Sequence, residues 1–237
     1  IPLRVRYDKT AEYRSGYKNY GNAYHVAQNN WHSIHNPITI EMITTGNNIP
    51  NELGQDDIYY NEVKGPKKTK ALRDFHNLYV KNKLINSTSN PGDTLIDYAV
   101  GKGGDLPKWT HAKLQFVFGI DVSKDNIRNT IDGVCARYLN YKQKFLEIPD
   151  GLFVYGDAGK NIKNLNAIYS ETGKQITQAI FGNGIKDEKL LGKGVIKSFG
   201  KGKDGFNISS MQFALHYMFE NAEILHNFFT NVSECTK

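Results

Sequence analysis

Leu95-Ile96-Asp97-Tyr98-Ala99-Val100-Gly101-Lys102-Gly103-Gly104-Asp105 reads as a short apolar strand running into a glycine turn. Glycine is needed where a backbone bends sharply or lets a ligand come close, and Asp105-Leu106-Pro107-Lys108-Trp109 then opens a helix with proline near its start. Strand, glycine turn and helix in that order can cradle a nucleotide, although Gly-Lys-Gly-Gly by itself suits an ordinary loop as well. The surrounding chain has to decide.

Upstream, Leu72, Phe75, Leu78 or Tyr79, Asn82 and Ile85 recur near helical spacing from Thr69, until Asn86-Ser87-Thr88-Ser89-Asn90-Pro91-Gly92 stops the pattern. Downstream, residues 114–121 read as a second buried strand ending in Asp121. A helix capped by Ser123 follows, with Ile127, Ile131, Val134, Tyr138 and Tyr141 on its apolar face. Residues 152–157 form a third strand, ending in Asp157. Such alternation predicts an α/β, Rossmann-like fold with a parallel, doubly wound sheet. Residues 181–206, rich in glycine and lysine, are expected to be a mobile basic loop. Residues 206–214 return as a fourth strand, and 219–232 as an amphipathic helix. A doubly wound sheet would take further strands after Lys237, so a truncated or cleaved polypeptide is expected.

With 237 residues and 39% hydrophobic content, the chain can bury one main core. Its formal charge of +6 suits a polyanionic partner without proving one. Cys135 and Cys235 are too few for a disulfide framework or a zinc site, which fits a reducing compartment. No apolar run approaches the ~18 residues of a membrane span, so a soluble protein without a membrane partner is expected. At the start, Ile1 to Thr10 alternates apolar and basic residues like a strand, and residues 11–66 read as a linker with short helical pieces. Within it, Trp31, His32 and His35 suit an interfacial tryptophan with solvent histidines better than a ligand cluster. The basic run 64–70 suits a solvated linker, with contact to RNA as the second reading.

In a parallel sheet, ligands sit at the carboxyl ends of the strands where the winding reverses, and Gly101, Asp121 and Asp157 fall at three successive strand ends. Asp121 lies about 20 residues past the turn, the separation at which an acid meets ribose hydroxyls. A dinucleotide fits poorly, because Asp97, Asp105, Asp121 and Asp157 would crowd a pyrophosphate with like charge. A nucleoside carrying a cationic centre fits better, and S-adenosyl-L-methionine is such a ligand: Asp121 for the ribose, Asp157 for the adenine amine, Asp97 and Asp105 for the ammonium and the sulfonium field.

The same residues carry a resemblance. Asp97-x-x-x-Gly101-Lys102-Gly103-Gly104-Asp105-Leu106-x-Lys108-Trp109 resembles the signature of mRNA cap guanine-N7 methyltransferases, and Gln212-Phe213-x-x-His216-Tyr217-x-Phe219-Glu220 resembles their cap-facing strand. Arg73-x-Phe75-x-Asn77 followed by Lys81-x-x-Leu84-Ile85 is similar to their helix before the first strand. The likeness covers about residues 70–237. Upstream, Arg4-x-Arg6-x-Asp8-Lys9 resembles the last motif of the covalent nucleotidyltransferases; their Lys-x-Asp-Gly nucleophile motif is absent, since Lys203-Asp204-Gly205 lacks the intervening residue. The arrangement resembles the multifunctional capping enzymes of large cytoplasmic DNA viruses, African swine fever virus and its relatives.

The resemblance implies two parts: residues 1–66, a remnant of a guanylyltransferase oligonucleotide-binding domain plus linker, and residues 67–237, a methyltransferase domain. It implies methyl transfer from S-adenosyl-L-methionine to guanine N7 of a GpppN cap. Lys81, Asp97, Gly101, Asp105, Asp121, Asp157 and Gln212 would contact the donor. Asn77, His216 and Tyr217 would hold the guanine, and Lys108 and Arg137 the cap phosphates. No general base is assigned, because N7 carries an available lone pair; alignment alone can supply on the order of 7–11 kcal/mol. The implied partners are capped mRNA and upstream guanylyltransferase and triphosphatase domains, and the implied location is the host cytoplasm, with packaging in the virion as a further expectation. A non-catalytic donor- or RNA-binding module and a methyltransferase on another substrate stay open. Ala99 and Val100 depart from the family pattern and would crowd the methionine tail. The resemblance also places beyond Lys237 a glutamate and a tyrosine by which the family reads guanine, so a chain catalytically incomplete by itself is an expectation here.

Overall fold

The computed structural model describes residues 7–16, 30–31, 33–35, 37, 39–45, 69–145 and 147–237. Contacts divide the chain into two units, Ile1–Gln55 and Asp56–Lys237. Arg4, Arg6, His32, residues 64–68 of the basic run and the expected boundary after residue 66 lie outside the described residues.

In the first unit, α1 spans Tyr7–Arg14 and α2 spans Ile40–Thr45. The strand expected up to Thr10 is therefore helical from Tyr7 onward. Lys9 pairs with Glu12 one helical turn later, a contact that the apolar-basic alternation did not foretell. Trp31 is 63% exposed and its ring tilts against His35 at 4.0 Å between centroids.

In the second unit, residues 70–88 form one helical run in three parts: α3 (Lys70–Asp74), a π-helical turn (Phe75–Val80) and α4 (Lys81–Thr88). The π turn shifts the register, so Leu72, Phe75, Leu78 and Tyr79 do not form the buried stripe that their spacing predicts. They are exposed, and only Ile85 of the set is buried.

The sheet has four strands, β1 (Thr94–Asp97), β2 (Phe116–Asp121), β3 (Asp150–Tyr155) and β4 (Ile208–Ser210), ordered β3-β2-β1-β4 and parallel throughout. Its strands are apolar on both faces because both faces are covered. Ile96, Phe116, Phe118, Ile120 and Val154 join one core cluster with Ile180, Phe206 and Phe228, while Leu95, Val117 and Phe153 join another with Leu106, Trp109 and Val134. Neighbouring residues along each strand thus feed opposite layers, which makes the fold a sheet between two helical layers.

The first layer helix, α5 (Leu106–His111), starts one residue after Asp105 with proline in its first turn, as the sequence indicates. After β2 the expected single helix is two, α6 (Lys124–Arg128) and α7 (Val134–Lys144). The break is made by Asn129, whose Oδ1 accepts from the backbone N–H of Ile131 and Asp132 at 2.9 and 3.2 Å. Ile131, expected on the apolar face, is 84% exposed.

Beyond β3, α8 (Glu171–Ile180) is capped by Ser170, which accepts from Gly173 N. The glycine-lysine segment is not a plain loop: it contains α9 (Glu188–Leu191), capped by Asp187, and α10 (Lys193–Lys197). It is also anchored, since Lys197 and Lys201 pair with the two oxygens of Asp150 at 2.9 and 3.0 Å. The fourth strand is shorter than residues 206–214 suggested. After Ser210 the chain turns through Phe213 at φ 62° into a 3₁₀ helix (Leu215–Phe219), and α11 (Ala222–Cys235) closes the described chain.

Candidate functional site

Order β3-β2-β1-β4 puts the reversal of winding between β1 and β4, and the glycine turn leaves the sheet from the end of β1. Asp97 is the last residue of that strand and is 2% exposed. Its Oδ1 accepts from Ala99 N at 3.0 Å, and among the described residues no cation reaches it at ion-pair distance. Burial pushes its carboxyl up to about 7, against the Ala99 N–H and Lys81; Asp105 and Asp121 push the same way as burial. The site thus holds a buried carboxyl that gains no ion pair among the described residues and takes up a proton near neutral pH.

The turn is fixed from both ends. Val100 N donates to Ile120 O at 3.0 Å, and Gly101 N donates to Asp121 Oδ2 at 2.7 Å. Gly101 and Gly103 take φ of 55° and 68°, the left-handed region that glycine occupies without strain. A Cβ at Gly103 would meet Val134 at 2.7 Å, whereas one at Gly101 would meet nothing within 4 Å. Gly103 is therefore needed for packing, and Gly101 faces open space. Val100, one of the two departures from the expected pattern, is 6% exposed and packs in the core beside Gly119, so its side chain does not crowd the space before the turn.

Asp105 follows the turn and gathers two lysines. Lys81 Nζ lies 3.3 Å from its Oδ2, and Lys108 Nζ lies 2.8 Å from its Oδ1, at an angle outside hydrogen-bonding geometry that leaves that oxygen without a hydrogen bond. Lys108 is 8% exposed and also donates to Gly104 O at 3.3 Å. It is a strut inside the turn, away from the solvent position that a cap-phosphate contact calls for. Arg137 is exposed and donates to Lys102 O at 2.9 Å, while Lys102 pairs with Asp125 and Asp132, both at 2.9 Å.

Asp121 closes β2. Its Oδ1 accepts from Ser123 N at 2.9 Å and Asn126 Nδ2 at 3.0 Å, and its Oδ2 takes the Gly101 bond. Asp157 stands two residues past the end of β3, where its Oδ1 accepts from Gly159 N at 2.8 Å, the turn-capping arrangement that an aspartate at a strand end often adopts. Tyr169 donates to its Oδ2 at 3.4 Å and packs against Tyr155 at 4.8 Å between centroids. Burial and the neighbouring Asp157 push the Tyr169 hydroxyl up to about 12.

The opposite wall comes from residues 211–219. Gln212 donates to Ser210 Oγ at 3.3 Å. His216 and Tyr217 sit on the 3₁₀ helix rather than on the expected strand, both exposed, their rings 4.0 Å apart. Asn77 is exposed on the π turn, next to His76, whose ring lies 4.8 Å from Phe213. Lys81 Nζ also stands 5.4 Å over the Phe213 ring, so it spans from the acidic turn to the aromatic wall.

The structure gathers Lys81, Asp97, Gly101, Asp105, Lys108 and Asp121 about the turn, Gly101 bonded to Asp121, Lys81 and Lys108 paired with Asp105, and Asp97 bonded to Ala99 N, and sets Asp157, Gln212 and the Asn77, His216 and Tyr217 positions on elements of their own. Sequence reasoning assigned no role to Phe213 or Asn126. The first sat in a quoted motif, but its backbone strain is invisible in a pattern; the second could have been suspected from an Asn one turn after a strand-end acid and its Ser cap.

Residues 59–237 match the mRNA (guanine-N(7))-methyltransferase domain. The chain belongs to this family. Across its whole length it is 28% identical, over 251 aligned residues, to a protein described as a probable mRNA-capping enzyme of Acanthamoeba polyphaga mimivirus, of which the alignment covers 20%. It is 28% identical over 167 residues, 70% of this chain and 30% of the relative, to an mRNA cap guanine-N(7) methyltransferase of Eremothecium gossypii. A protein of the same description from Candida glabrata matches 84% of this chain at 28% identity, and the alignment covers 40% of it. The chain thus spans well under half the length of these relatives. The parallel four-stranded sheet is consistent with an mRNA (guanine-N(7))-methyltransferase domain.

Proposed function

We propose that this chain binds S-adenosylmethionine along the ends of β1, β2 and β3 and transfers its methyl group to guanine N7 of a GpppN mRNA cap. The observation that carries this reading is Asp97: a buried carboxyl with one N–H donor and no ion-pair partner among the described residues, beside a glycine turn that faces open space. A neutral nucleotide or a polyphosphate would favour the protonated form of that carboxyl, whereas a ligand with an ammonium and a sulfonium favours the ionised form and pairs with it. The residues fit the donor on this ground.

When bound, S-adenosylmethionine supplies a methyl group activated by positive sulfur. The chain's own residues do the rest. Asp97 and Asp105 face the cationic end, Gly101 lets the ligand approach the backbone, Asp121 offers an acceptor to the ribose, and Asp157 with the Tyr155–Tyr169 pair bounds the adenine end. On the acceptor side, Phe213, His216 and Tyr217 offer aromatic surfaces to a purine, with Asn77 and Gln212 as polar contacts. N7 has a free lone pair, so no residue has to remove a proton, and the contribution of the fold is alignment in a site whose negative field matches the donor. Lys102, Lys108 and Arg137 are engaged within the turn and are not assigned to the cap.

The likeness to the mimivirus capping enzyme across the whole chain supports a place inside a larger capping protein, with cap synthesis by other parts of the same polypeptide. The test is transfer of radiolabelled methyl from S-adenosylmethionine to GpppRNA, with ApppRNA as the control. Label on the guanine cap alone supports the reading. Donor binding by calorimetry without transfer would support a binding module instead, and label on the ribose of both RNAs would support another substrate.

A further inference from the structure

Asn231 is fully buried on α11, and its side chain bonds three backbone groups of the loop that follows Asp157. Its Oδ1 accepts from Ile162 N at 2.9 Å, and its Nδ2 donates to Ala158 O at 2.8 Å and to Lys160 O at 2.7 Å. One N–H partner and two carbonyl partners fix which way the amide points, and they use both of its donors. Asn231 also meets the end of β1, since its backbone O accepts from Tyr98 Oη at 3.3 Å, and Tyr98 directly follows Asp97.

Residues 157–167 contain no helix or strand of their own, and a bridge between Gly156 and Ile168 closes them at the base. Asp157 is held there by local partners, Gly159 N at 2.8 Å, Tyr169 Oη at 3.4 Å and Lys160 Nζ at 3.8 Å. Gly159 and Lys160 move with the loop. Apart from an exposed contact of Asn161 with Glu234 at 3.1 Å, the polar tie between this loop and α11 is the Asn231 amide. A carboxylate reads adenine by accepting from its exocyclic amine, whereas hypoxanthine presents a carbonyl at the same place and is repelled. The preference between the two bases therefore reports where the carboxylate stands. We infer that Asn231 is a positioning residue which holds Asp157 on the adenine amine and so sets the preference of the donor site for adenine over hypoxanthine. This rests on the reading that places Asp157 at the adenine end. Without the Asn231 amide the loop is released and the preference shrinks, while a merely structural role would weaken binding of both bases by a common factor.

Calorimetry on the full chain with S-adenosylhomocysteine and S-inosylhomocysteine reads this ratio directly. The unsubstituted protein is expected to favour the adenine form by about tenfold or more. In Asn231→Ala the ratio falls to within about threefold. Asn231→Asp has the same size, keeps an acceptor for Ile162 N and, protonated in its buried place, offers one donor where the amide offers two. It covers the case in which the alanine variant does not fold, and its ratio lies between the other two. No adenine preference in the unsubstituted protein, or a preference that persists unchanged in the folded variants, would overturn the inference. Asp157→Ala separates the two levels: the preference is expected to vanish there, and if it survives, it is the placement of Asp157 at the adenine that fails.

Discussion

Gly101 donates its backbone N–H to Asp121 Oδ2 at 2.7 Å, joining the glycine turn after β1 to the last residue of β2. The turn and the ribose-facing acid are therefore one unit, and a change at either is felt at both.

Asp121→Ala removes three N–H contacts and the charge together. Donor affinity is expected to fall at least tenfold, with a lower melting temperature, because charge-assisted hydrogen bonds contribute roughly 1.5–3 kcal/mol. Asp157→Ala is expected to lower affinity with a smaller effect on stability, as its bonds are local. Calorimetry and thermal melts on both variants check this, and unchanged donor affinity in both would reject the donor site.

Asp97 makes donor binding pH-dependent. Its carboxyl rises on folding from the ordinary 3.8 to about 7, mainly by burial, so the folded chain binds the proton more tightly than the unfolded one. With the sign worked out, stability falls as pH rises from about 4 to about 7, by an amount on the order of 4 kcal/mol. A cationic ligand prefers the ionised form, so affinity moves the other way and climbs as pH passes from 6 to 8. Lys81, Asp105 and Asp121 share this field. Asp97→Asn should flatten the Asp97 contribution to both profiles and raise stability near neutral pH while weakening donor binding. Melts and titrations between pH 5 and 9 measure both.

On the acceptor wall, Tyr217→Ala should raise KM for capped RNA and leave donor affinity within about twofold. Phe213→Gly sharpens the same point: relief of the φ 62° conformation, worth about 1–2 kcal/mol, offsets lost ring contacts, so stability changes little while KM rises. If donor binding alone suffers in either variant, the guanine-side placement is wrong.

Lys108→Met tests the strut. Breaking its buried pair with Asp105 should cost about 3 kcal/mol of stability and weaken donor binding through the turn, without a separate change in KM for capped RNA. A selective rise in that KM, with the melting temperature held, would return Lys108 to the cap phosphates.

How far the chain was legible follows from where each signal was stored. Residues 94–97 and 116–121 are apolar on both faces, and a short run of that kind between turn signals announces a strand buried in a parallel sheet before any contact is known. The Ser123 cap and the proline after Asp105 were equally local. The helix break at Asn129 was not, because a side chain bonding its own backbone competes with helix by a small margin that tertiary packing decides. The anchoring of the glycine-lysine segment on Asp150 depends on partners distant in sequence and was unreadable for the same reason.

For the site itself, residue type and spacing alone determined that acids stand at successive strand ends around a glycine turn, since strand period and turn chemistry are local properties. Which acid is free, which is saturated and which is buried unpaired was decided only by tertiary structure. Asp97, Asp105 and Asp121 look alike in sequence, yet among the described residues one lacks a cation, one holds two lysines and one takes three N–H donors. The physical reason is that a carboxylate's role is set by desolvation and by the donors that surround it, and those arrive from Lys81, Lys108 and Asn126 only once the layers have closed on the sheet.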